Sequence, residues 1–141
     1  MSGAGAETGE DWTARRREAA AEQERRLQER KRVESARAQA IIDAFLARAA
    51  TDAVPPVPLV VRGRRGGQAR TSLTGWYLKT DGSVAVSTQG GFYVLIQDLS
   101  FLERMRGYTP PPTDPPLIVG EGGGDGETID MDAALARHLK S

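Results

Sequence analysis

The sequence predicts an α+β protein: a long N-terminal helix, a small antiparallel β-meander of three to five strands, and a short C-terminal helix. Three observations predict it. Residues 14 to about 50 are rich in Ala, Glu, Gln and Arg and hold neither Gly nor Pro, the composition of a helix. Residues 57–141 are instead rich in β-branched and aromatic side chains, punctuated by Gly and Pro, the composition of strands and turns. Between them stands Val54-Pro55-Pro56, where the residue before a proline is driven out of helical geometry.

The chain has 141 residues, 19 basic and 19 acidic side chains, one histidine and no cysteine. This length suits one domain. Zero net charge argues against a globally basic nucleic-acid binder and leaves local patches open. Without cysteine there is no disulfide, thiolate metal site or cysteine nucleophile, and a chain without staples is expected in the cytoplasm. The opening MSGAGAETGEDW lacks the basic and apolar regions of a signal peptide. The longest apolar runs, such as Phe92 to Ile96, are far too short to span a bilayer. Abundant Ala, Arg and Gly suggest a GC-rich bacterial source.

Residues 1–13 are small, polar and glycine-containing, and are expected to be disordered. Residues 14–52 read as a charged helix, amphipathic from about residue 33. Glu22 with Arg26, Glu29 with Arg32 and Glu34 with Arg37 sit at helical contact spacing. Up to Arg32 the only large aliphatic side chain is Leu27, so this half reads as a solvated helix or a coiled-coil arm, although heptads are not sustained. From Val33 on, Ala36, Ala40, Ile41, Ala44, Phe45 and Ala47 form a stripe that Ile42 and Leu46 widen.

Residues 53–141 read as a small β-rich domain. Strands are expected at about Val57–Arg62, Leu73–Lys79, Ser83–Thr88 and Phe92–Ile96, with a further one at Leu117–Val119. Thr80-Asp81-Gly82 suits a three-residue hairpin loop with Gly82 in the left-handed position. That loop sets Lys79 opposite Ser83, Leu78 opposite Val84 and Trp76 opposite Val86, gathering the apolar side chains on one face. Phe92, Val94 and Ile96 are expected to extend that face. A helix over about Asp132 to Leu139, capped by Asp130 or Asp132, closes the chain. Three strands with one apolar face need a cover, and the helix around Ile41 and Phe45 is expected to supply it or to find a partner elsewhere.

Five segments are candidate sites. Arg62-Gly63-Arg64-Arg65-Gly66-Gly67-Gln68-Ala69-Arg70 reads as a flexible cationic loop able to pair with phosphates, or else as a solvated connection. The arginine runs of the first helix are interleaved with glutamates that largely cancel them. The glycine-rich acidic run 120–127 lacks the ligand ladder of a calcium loop. Tyr108 to Pro116 suits a stiff connector over the sheet better than a polyproline ligand. Trp76-Tyr77-Leu78 is similar to the tripeptide that names WYL domains, ligand-sensing β modules of bacterial regulators. The likeness covers those residues alone, the arginine-bearing strand expected next has no counterpart, and no property is carried over.

Catalysis has little to draw on. His138 falls on the expected last helix, near its dipole, and no spacing favours a carboxylate pair such as Asp81 with Asp98. The resulting expectation is a non-catalytic protein–protein interaction or assembly module, with Ile41, Ile42, Phe45 and Leu46 meeting another protein or a second copy. The alternative is a nucleic-acid-binding accessory protein using Arg62, Arg64, Arg65 and Arg70 on phosphates. No cofactor, metal site or membrane partner is expected.

Overall fold

The computed structural model describes residues 8–120 and 128–140. The expected α+β architecture is present: a long N-terminal helix, a five-stranded, mostly antiparallel sheet and a short C-terminal helix. The chain divides into two compact units, Met1–Glu34 and Ser35–Ser141.

Helix α1 spans Gly9–Asp52. It begins within the segment expected to be disordered, so residues 9–13 are helical, and residues 1–7 lie outside the described ones. Thr8 starts it: its Oγ1 accepts from the Asp11 N–H while the Asp11 carboxylate accepts from the Thr8 N–H, a reciprocal cap. Within the first unit every described side chain is exposed. Helicity there rests on propensity and on pairs such as Glu22 with Arg25 and Arg26, and Glu29 with Arg32.

In the second unit α1 has a buried stripe of Ala38, Ile42 and Phe45, flanked by half-buried Ile41, Leu46 and Ala49. The stripe is turned by about one residue from the expected one. Ala36, Ala40, Ala44 and Ala47 stay exposed, because the sheet selects the bulky Ile42–Phe45 edge rather than the alanines.

The sheet contains β1 (Val57–Gly63), β2 (Gln68–Tyr77), β3 (Val84–Ser87), β4 (Phe92–Val94) and β5 (Ile96–Gln97), in the order β4-β3-β2-β1-β5. The register across the 80–82 loop is the expected one. Trp76 faces Val86, the Leu78 N–H donates to Val84 O, and Gly82 has φ +74°. Asp81 Oδ1 accepts from both the N–H and the hydroxyl of Ser83, which fixes the turn. Trp76, Leu78, Val84, Val86 and Phe92 form one buried cluster with Ile42 and Phe45 of α1.

Beyond Phe92 the expected alternation fails. Val94 is exposed and Ile96 half-buried, while Tyr93 and Leu95 are buried in a second cluster with Leu59, Val61, Ala69 and Ala85. The cause is a bend at Leu95. Its N–H donates to Ser83 O on the β3 side, and its carbonyl accepts from the Arg62 N–H on the β1 side. The two sheet edges are therefore consecutive pieces of one kinked strand. β5 pairs with β1 in parallel, and the sheet curls into a small barrel with the second cluster inside it. Closure removes the exposed edges that a flat meander would leave.

Three elements complete the unit: α2 (Phe101–Arg106), a two-stranded ribbon of β6 (Ile118–Val119) and β7 (Ile129–Asp130), and α3 (Met131–Ala136). α3 is shorter than expected. Asp130 holds its N-cap position without a side-chain cap bond. Met131, Ala134 and Leu135 join the cluster around Trp76. Trp76 Nε1 donates to Val54 O at 2.8 Å, and the Val54 N–H donates to His138 O at 2.8 Å. The proline-rich segment is the expected connector over the sheet: the Thr113 N–H donates to Phe92 O.

Candidate functional site

The β1–β2 connection is a hydrogen-bonded turn, not a flexible loop. The Gly63 N–H donates to Gly67 O and the Gly66 N–H to Gly63 O. Only residues 64–67 lie outside strands; Arg62 belongs to β1 and Arg70 to β2. The four arginines proposed for phosphate binding consequently separate. Arg62 turns toward the β2–β3 loop, where its guanidinium donates to Asp81 O. It lines a cleft there with Tyr77, Lys79, Arg137 and His138. Arg64 lies 3.7 Å from the Asp98 carboxylate, both side chains well exposed. Arg65 and Arg70 are exposed and have no carboxylate within ion-pair distance among the described residues.

Next to this turn lies α2, which is not among the elements expected from the sequence. Its signal was present. Ser100 and Glu103 form a capping box, with Ser100 Oγ accepting from the Glu103 N–H and Glu103 Oε1 from the Ser100 N–H. Arg104 and Arg106 occupy the last turn, and Gly107 stops the helix, each the residue type its position favours. Two close approaches clamp α2 to the hairpin. The Arg104 side chain lies directly over Gly67, and Gly107 (φ +93°) presses against the backbone of Arg70, where a Cβ would meet Arg70 O.

No side chain of α2 is buried. Phe101, Leu102 and Met105 are 70, 59 and 62% exposed, the three most exposed large apolar side chains among the described residues. At about 100° per residue they fill an arc of roughly 100°. Arg104 and Arg106 flank that arc on either side, and half-buried Glu103 faces away from it. With Arg64 and Arg65 on the neighbouring turn, the surface is an apolar centre with a basic rim.

The end of α2 also forms a second feature. Arg70, Thr71, Ser72, Arg106, Tyr108 and Thr109 line an open pocket of about 440 Å³. Ser72 and Thr109 hydroxyls lie 3.1 Å apart, and the Ser72 N–H donates to Thr109 Oγ1.

No family model, curated protein or solved structure matches this chain. Its function is read from these surfaces alone.

The partner-binding residues expected on α1 are placed differently. Ile42 and Phe45 are 0 and 4% exposed and packed on the sheet, so they cannot present a face to another protein. Ile41 lines a 200 Å³ cleft with Leu135 and Leu139, and Leu46 is half-buried beside the same cluster. This correction follows from the sheet's need for a lid, which α1 itself satisfies.

Of the candidate catalytic groups, His138, Lys79 and Asp81 line the cleft beside Arg62, whereas Asp98 does not. His138 lies beyond α3 rather than on it, with Nε2 2.7 Å from Tyr77 O. Asp81 is held by Ser83 and Asp98 faces Arg64. Lys79 is buried, with its ammonium 3.9 Å from the Asp81 carboxylate. Among the described residues no group of three His, Cys, Asp or Glu is placed to hold a metal ion.

Proposed function

We propose that this protein is a non-catalytic interaction module that docks an acidic partner protein on α2 and the adjoining β1–β2 turn. The observation that carries this reading is the exposure of Phe101, Leu102 and Met105 between Arg104 and Arg106. Phe, Met and Arg are the residue types enriched at the centres of protein interfaces. The cluster has no apolar cover among the described residues of the second unit, and the basic rim complements a partner whose apolar anchors are bordered by Asp or Glu. Rim charges of this kind chiefly raise the association rate and select against basic partners.

The nucleic-acid alternative retains Arg64, Arg65 and Arg70 and gains Arg104 and Arg106, but it loses Arg62, which is turned elsewhere. Leu102 and Met105 favour the protein reading. Aliphatic side chains contribute neither phosphate pairing nor the flat stacking that single-stranded nucleic acids use.

The test places a photo-crosslinking side chain at Leu102, recovers the adduct from the native host, and titrates the purified captured protein against the full chain. The expected result is binding weakened at least about tenfold by Phe101→Glu with Met105→Glu. Arg64→Ala with Arg65→Ala is expected to slow association mainly at low salt. Binding indifferent to Phe101→Glu with Met105→Glu overturns the proposal. So does the finding that the chain binds RNA or DNA with a steep salt dependence that Arg64→Ala with Arg65→Ala reduces.

A further inference from the structure

The pocket at the end of α2 has a chemistry of its own and shares Arg106 with the rim of the docking face. We infer that it is a binding site for a terminal phosphate group, a phosphomonoester or inorganic phosphate, held between Arg70 and Arg106 with the Ser72 and Thr109 hydroxyls.

Charge is the first argument. Arg70 and Arg106 both line the pocket, and neither has a carboxylate within ion-pair distance among the described residues. Two arginines lining one pocket make it electropositive, and an anion there is attracted by both. Their combined charge matches a phosphomonoester, which carries about −1.5 to −2 at neutral pH, better than a phosphodiester with a single charge. Guanidinium forks also suit the paired oxygens of a phosphate.

Construction is the second argument. The two arginines come from separate elements, Arg70 from β2 and Arg106 from the last turn of α2. They are brought together because Gly107 sits against the Arg70 backbone, where a Cβ would lie 2.8 Å from Arg70 O. The Tyr108 N–H then donates to Arg70 O at 2.8 Å, which fixes the segment carrying Thr109. The hydroxyls add directional donors. Ser72 and Thr109 share one hydrogen bond, and Thr109 Oγ1 already accepts from the Ser72 N–H. One hydroxyl proton of the pair therefore stays available to a third oxygen. The acidic residue nearest in α2, Glu103, is occupied as the capping carboxylate at the opposite end of the helix.

The experiment is an NMR titration of the full chain with inorganic phosphate, with O-phosphoserine, and with an oligonucleotide lacking a terminal phosphate. Saturable shifts are expected at Ser72, Tyr108 and Thr109 with the first two probes, with a Kd on the order of millimolar. Arg70→Ala and Arg106→Ala are each expected to weaken binding about tenfold while leaving the remaining spectrum folded. A preference for O-phosphoserine over inorganic phosphate assigns the site to a phosphorylated ligand, and the reverse order to the free ion; either result supports the inference. No saturable shift at these residues overturns it. Equal binding of the oligonucleotide overturns it as well, as does binding unchanged by both arginine substitutions. Phe101→Glu with Met105→Glu leaves phosphate binding intact in this account, so failure of the docking reading and failure of the phosphate site are separable.

Discussion

The ring of Phe45 meets the ring of Trp76 edge-on, with centroids 5.0 Å apart and planes at 87°. This contact joins α1 to the outer face of the barrel. Edge-to-face pairs add about 0.5–1.5 kcal/mol beyond the area they bury. Phe45→Ala is expected to cost about 3–5 kcal/mol, a large share of the ~5–15 kcal/mol that holds a typical domain. Chemical denaturation in a Trp12→Phe background, where Trp76 is the only indole, checks this. If Phe45→Ala lowers the unfolding free energy by less than about 1 kcal/mol, α1 is not the lid.

Gly75 makes a close approach that no other residue allows. A Cβ there would lie 2.0 Å from Val86 O and 2.7 Å from Ser87 Cα, both backbone atoms that cannot move without opening the β2–β3 ladder. Gly75→Ala is expected to destabilise by about 1–3 kcal/mol or more, lowering the melting temperature by roughly 4–8 °C per kcal/mol. Thermal unfolding followed by circular dichroism measures it.

Inside the barrel, the Tyr77 hydroxyl accepts from the Val60 N–H at 3.0 Å. This satisfies a donor at the irregularity where the β1–β2 register shifts between Pro58 and Val60. Tyr77→Phe leaves that N–H without its acceptor and is expected to cost about 1 kcal/mol. Hydrogen exchange at Val60 should accelerate selectively. Unchanged protection at Val60 contradicts the assigned role.

The apolar face of α2 contributes nothing to folding in this account. Phe101→Glu and Met105→Glu are each expected to change stability by no more than about 0.5 kcal/mol. Gly107→Ala forces a Cβ into a left-handed backbone and against Arg70 O, so it is expected to loosen α2 from the hairpin. Faster amide exchange in residues 101–106, with the barrel still protected, is the signature. Phe101→Glu unfolding the barrel would show that α2 is core.

Glu22 pairs with Arg25 and Arg26. Its hydrogen bond and charge interaction with Arg25 hold its carboxyl below the usual carboxylate range. A lowered pKa means that the contribution is present at neutral pH and lost as pH falls through the folded value. Helical chemical shifts around residues 18–29 of the full chain should therefore weaken as acidification passes through that lowered value. In Glu22→Gln that response should be smaller. An identical acid response in both chains removes the pair from the account.

Local chemistry alone specified much of this protein. Helix propensity placed α1, and Val54-Pro55-Pro56 ended the helical segment. The three-residue loop 80–82 set the β2–β3 register, because only that loop puts Trp76, Leu78, Val84 and Val86 on one face. The capping box of Ser100 and Glu103 that starts α2 is equally local.

Other features were decided by tertiary structure. The bend at Leu95 transfers Tyr93 and Leu95 to the barrel interior because that one residue bonds two different strands, a fact no alternation pattern encodes. The stripe on α1 reads the same whether its cover is another protein or the chain's own sheet, and only packing assigned Ile42 and Phe45 to the core. The pairing of Arg70 with Arg106 depends on a contact between β2 and the end of α2. Sequence governs neighbours within a turn or a strand; it does not by itself state which distant surfaces close against each other and which remain open.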